Sequence, residues 1–171
     1  MTTPFIHRIK RNLADPELTR SFVDGKFCFS GIDADHQKLV KKCMVEVLLA
    51  AAKSEEDSAL IALWEARERL ESIIMVVRPC ARIEIYVPKE PAQETKPWQI
   101  ILPGLTGMDE PWIKYVLAHE WAHGVLKDTQ VPTSKLGEAV SRYTEMRADA
   151  LANSWGFNPS PQKEEKKEKG D

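Results

Sequence analysis

The sequence predicts an α+β fold: a mostly helical single domain with a short antiparallel sheet. Apolar residues recur at i, i+3, i+4 through two long windows, as in helices with one buried stripe. Residues 82–87 alternate with period 2, as in a strand with one buried face. The length, 171 residues, suits one domain with a core that needs no disulfide staples.

Taken in order, residues 1–32 read as an N-terminal arm. In it His7, Arg8, Lys10 and Arg11 form the wet face of a short helix, with Asp15 and Glu17 close behind. The domain proper spans 33–157. Asp33 is an N-cap, and Leu39, Val40, Cys43, Met44, Val47, Leu48 and Ala51 then trace one helical stripe. A second helix is expected over 55–77, with Leu60, Leu63, Trp64, Arg67, Leu70 and Ile74 on its inner side and Pro79 beyond its end. Ile83, Ile85 and Val87 mark the first strand. The proline-rich stretch 88–97 reads as a loop, and 98–102 as a second strand antiparallel to the first, ended by Pro103-Gly104. Asp109 and Pro111 open a helix that runs to about residue 127. Past Pro132, another runs over about 135–155 to the C-cap signal Gly156. Residues 158–171, nearly all charged or polar, read as a disordered tail.

With 43% hydrophobic and 29% charged residues, the composition is that of an ordinary soluble globular protein. A net charge of −2 gives no electrostatic case for nucleic acid. Cys28, Cys43 and Cys80 form no paired C-x-x-C, which suits reduced thiols in a cytoplasmic protein. Residues 1–10 lack the apolar stretch of a signal peptide. The longest apolar run, 47–52, falls far short of the roughly 20 residues that cross a bilayer. No membrane partner is expected.

The chemistry concentrates in His119-Glu120-Trp121-Ala122-His123. Positions i and i+4 of a helix lie one above the other, so both imidazoles can reach one metal ion while Glu120 stands beside them. This H-E-x-x-H pattern is the signature of zinc peptidases. Catalytic zinc takes three protein ligands and keeps a fourth position open. No histidine follows His123, so the third ligand is a carboxylate or a thiolate.

Glu145 is the best candidate, with Glu138 as fallback. It lies far enough past His123 for one turn and an antiparallel return helix. It heads Glu145-Met146-Arg147-Ala148-Asp149, which puts Asp149 one turn further along the same face. Asp149 is assigned to orient a ligating imidazole, His119, through its second ring nitrogen. Ala148 and Ala152 would let the two helices approach closely.

The two motifs together resemble the gluzincins, thermolysin-like metallopeptidases whose third ligand is a glutamate. The E-x-x-A-D segment followed by Asn153-Ser154-Trp155-Gly156-Phe157-Asn158-Pro159 is similar to the HtpX and CAAX-protease group and its small soluble relatives, the minigluzincins. The ImmA/IrrE peptidases share a comparable layout. The resemblance covers roughly residues 82–159. It implies a Zn2+-dependent metalloendopeptidase acting on a protein or peptide substrate. Zinc would be held by His119, His123 and Glu145, with Glu120 as general base for a metal-activated water. Tyr115, Arg142 and Tyr143 are candidates to stabilise the oxyanion, Tyr143 being preferred. Related peptidases add their substrate as a strand along a sheet edge, a role expected here of 98–102. Two other readings start from the same motif. In a deformylase-like amide hydrolase, Cys80 would be the third ligand. In a latent or non-catalytic module, the N-terminal helices, or His7, His36 or Cys28, would block the site.

Overall fold

A computed structural model of the chain describes residues 3–54, 56–69, 73–77, 85–86, 98–102, 109–128 and 138–159. The chain is mostly helical. Among the described residues, six helices and four strands run in the order α1 (Thr3–Ala14), α2 (Pro16–Lys26), β1 (Phe27–Ser30), α3 (Ala34–Ala51), α4 (Asp57–Arg69), β2 (Ile73–Val77), β3 (Ile85–Tyr86), β4 (Trp98–Leu102), α5 (Glu110–Val125) and α6 (Glu138–Ser154). No helix among the described residues is long and apolar enough to cross a membrane. The expected loop at 88–97, Cys80 and the tail from residue 160 lie outside the described residues.

Helix starts follow local chemistry. The side chains of Asp15, Asp33 and Asp109 accept backbone N–H bonds from the first turns of α2, α3 and α5, satisfying donors that a helix leaves orphaned. At the end of α6, Gly156 takes φ +94°. Its N–H reaches Asn153 O at 2.9 Å, and Phe157 N–H reaches Ala152 O at 3.1 Å. These are the two bonds of a Schellman cap, whose left-handed residue is glycine for steric reasons.

The sheet has the order β1-β2-β4-β3. It is mixed, where an antiparallel sheet was expected. β1 pairs parallel with β2, β2 parallel with β4, and only β3 with β4 runs antiparallel, Ile85 opposite Ile100 and Tyr86 opposite Gln99. The helix expected over 55–77 ends at Arg69, and Ile73-Ile74-Met75-Val76-Val77 is a strand. Such a continuous, β-branched apolar run suits a strand with a parallel neighbour on each side. β4 in turn is an interior strand, with β2 on one side and β3 on the other, so it offers no free edge at Gln99 and Ile100 for a substrate.

Residues 3–32, expected to belong to an arm, contribute to the core instead. Ile9, Leu13, Val23, Phe27 and Ile32 belong to the same buried cluster as Val40, Met44, Val47, Leu48, Leu60, Leu63, Leu117 and Trp121. In α1 the basic residues stay exposed while Ile9 and Leu13 point inward. α5 is the central helix and packs on α3, α4 and α6. It is buried nearly all round, at Ile113, Val116, Leu117, Ala118, Trp121, Ala122 and Val125, as expected of a helix with apolar residues on every side. Its first turn is also tied to α3, since Glu110 pairs with Lys42 at 3.0 Å and Lys114 pairs with Glu46.

Candidate metal centre

Helical spacing brings His119 and His123 together, and the close approach of α6 supplies the rest. Ala148 and Ala152, both fully buried, leave room for α6 to lie against α5. Glu145 and Asp149, one turn apart, then face the histidines. His119 Nε2 and His123 Nε2 are 3.1 Å apart. Glu145 reaches them with one oxygen each, Oε2 at 3.1 Å from His119 and Oε1 at 3.5 Å from His123. Ligand atoms of His119, His123 and Glu145 all lie within 4.8 Å of one another.

Behind these atoms stand two carboxylates. Asp149 Oδ1 is 2.8 Å from His119 Nδ1, as the sequence suggested, and it also accepts the Tyr115 hydroxyl at 2.6 Å. Burial first, then the bond to Asp149, push the Tyr115 phenol well above its usual range. Asp128 was not expected: its Oδ2 lies 3.1 Å from His123 Nδ1, with the Asp128 side chain only 9% exposed. Arg147 of α6 stands 3.6 Å from the other Asp128 oxygen. Asp128 arrives there because Lys127 turns the chain at the end of α5 with φ +61°, a left-handed conformation usually reserved for glycine or asparagine.

Elementary acid–base chemistry sets the polarity of the cluster. An ionised carboxylate can only accept, so each Nδ1 carries its hydrogen toward Asp149 or Asp128. Both Nε2 atoms then present lone pairs to each other and to the Glu145 carboxylate. Three converging acceptors repel unless a cation lies between them. In the metal-free chain that cation is a proton. Burial pulls the His119 imidazolium down, but the Glu145 bond, the charge of Glu120 and the Asp149 bond outweigh it and hold the pKa up at about 9. His123 is raised, and Glu145 lies far below the usual carboxylate range because it accepts from both imidazoles.

A divalent ion suits the same place. Tetrahedral zinc with bonds of about 2.0–2.1 Å separates its ligand atoms by about 3.3 Å, against the 3.1, 3.1 and 3.5 Å found here. The donor set of two imidazoles and one carboxylate is that of catalytic zinc.

The other sequence candidates lie outside this group of three ligands. Tyr143 is 60% exposed, with its ring under the Arg147 guanidinium. Arg142 is exposed too. Glu120 is buried at 4% exposure. Glu138 opens α6, but its side chain lies outside the described residues, as does Cys80. Among the described residues, neither His7, His36 nor Cys28 joins the metal-binding group. Comparison with known proteins returned nothing: no protein family, curated protein or solved structure matches this chain.

Proposed function

We propose that this chain is a zinc-dependent metallopeptidase of the gluzincin type, cytoplasmic, hydrolysing peptide bonds in a protein or peptide substrate. The observation that carries this reading is the convergence of His119 Nε2, His123 Nε2 and the Glu145 carboxylate at zinc-like separations, with Glu120 next to His119 on the same helix. Bound there, zinc supplies a Lewis acid for the scissile carbonyl and eases loss of a proton from water.

The chain's own residues do the rest. Asp149 and Asp128 hold the two imidazoles with Nδ1 protonated and Nε2 aimed inward. The Tyr115 hydroxyl fixes Asp149 from its far side. Glu120 takes the proton of the attacking water and returns it to the leaving amine. Tyr143 keeps its assignment as the oxyanion donor on sequence grounds alone, since its ring is engaged with Arg147.

Glu120→Gln tests the proposal. The variant retains one zinc per chain and loses hydrolysis of casein or of a quenched peptide library. Full activity in that variant would sink the assignment.

A further inference from the structure

Arg67 stands at an inward position of α4, in the stripe that runs through Leu60, Leu63 and Trp64. That stripe calls for an apolar residue, and a guanidinium sits there half-buried. Its five N–H donors find little. Nη1 lies 3.4 Å from Thr19 Oγ1, Nη2 lies 3.5 Å from Leu13 O, and the group stacks over the Phe22 ring at 5.5 Å. No carboxylate among the described residues comes within ion-pair distance of it. Burial pulls its pKa down to about 10. Buried charges in folded proteins are ordinarily paired, because an unpaired one is expensive to desolvate.

Arg67 lines a groove of about 280 Å³ between α1, α2 and α4. Leu18, Phe22 and Trp64 supply apolar and aromatic wall, and Leu18 is half-exposed at 51% although it has nothing polar to offer water. The charged groups lining the groove are Arg67, Lys26 and Glu68. Two cations against one anion leave a single positive charge uncompensated. A planar guanidinium fork matches a carboxylate edge to edge.

We propose that this groove binds a small apolar monocarboxylate, its carboxylate on Arg67 and its hydrocarbon part against Trp64, Phe22 and Leu18. The charge balance favours a monoanion over a phosphate dianion, and the apolar walls favour an acid with an aromatic or aliphatic body. This site is separate from the metal centre and does not depend on peptidase activity.

The test is a calorimetric titration of the full chain with 3-phenylpropanoate, alongside 3-phenylpropanol and acetate. The acid binds saturably and shifts the Trp64 indole resonance, whereas the alcohol and acetate each bind at least about tenfold more weakly. Arg67→Met weakens the acid by about tenfold or more while remaining folded, since an apolar residue of similar size is tolerated where a half-buried charge stood. Arg67→Lys, which keeps the charge and loses the fork, is weakened as well and serves if the Met variant does not fold. N-acetylphenylalanine separates the two sources of such a group. Binding as strong as that of phenylpropanoate assigns a peptide's C-terminal carboxylate, and weaker binding a free acid. Absence of saturable phenylpropanoate binding, or equal affinity in wild type and both Arg67 variants, overturns the proposal.

Discussion

Asp128 accepts the Nδ1 hydrogen of His123 across 3.1 Å from a position only five residues further along the chain. Asp149 does the same for His119 from another helix, so each imidazole of the pair has its own carboxylate. Asp128→Ala should therefore weaken zinc by about 10- to 100-fold, read by competition with a chromophoric chelator. Asp128→Asn, which keeps an acceptor, should lose less. Wild-type affinity in the alanine variant would mean that the contact orients nothing.

Glu145→Ala should abolish stoichiometric zinc binding, because two imidazoles alone do not complete a zinc site. Cys80→Ser should leave it unchanged. The reverse pattern, measured by metal analysis after gel filtration, would transfer the third ligand to the thiolate.

Metal-free stability should fall as the solution becomes alkaline. His119 holds its proton up to about 9 in the folded chain, against an ordinary value of 6.5. A group raised on folding stabilises fully below its unfolded value, and that contribution disappears as pH rises through the folded one. Urea midpoints of chelator-treated protein should thus drop between about pH 6.5 and 9.5, by more than in His119→Gln. Zinc must displace this proton, so its affinity should climb over the same window. Parallel midpoint curves for the two proteins would contradict the assignment.

Leu13→Ala tests whether the N-terminal helices belong to the core. Leu13 is 2% exposed, and truncating such a leucine costs about 2–5 kcal/mol. A loss under about 0.5 kcal/mol in denaturant unfolding, the range of surface substitutions, would restore the reading of residues 1–32 as an arm.

Lys127→Gly should stabilise the chain by about 1 kcal/mol, because the φ of +61° strains any residue with a Cβ. The variant gives up only an exposed contact with Glu65 at 3.5 Å, a kind of pair that contributes little. A lower melting temperature would show that the lysine side chain matters more than its backbone.

What could be read from the sequence follows from the range of the forces involved. Asp33, Asp109 and Gly156 act on the nearest turn of backbone, so their roles were visible in the chain itself. The placing of His119 by His123 and of Glu145 by Asp149 was legible for the same reason, since i, i+4 spacing is a property of one helix. β2 was not visible as a strand, because Ile73-Ile74-Met75-Val76-Val77 suits a buried helix as well as a parallel strand. Its neighbours β1 and β4 lie far away in sequence. Asp128 was hidden because its place depends on a left-handed lysine, and lysine does not announce that conformation. Tyr115 was visible as a residue of the site, although it is engaged with Asp149.

The two histidines stand on a helix enclosed by the core, whereas the Glu145 side chain is 58% exposed on the flank of α6. An ion held among them would clasp that outer helix onto the centre of the molecule. The segment from His123 to Glu145, 22 positions further on, would become a closed ring, and the unfolded chain would lose the freedom that ring removes. Stripping the ion should therefore loosen α6 before α5, with amide exchange quickening first around Glu145.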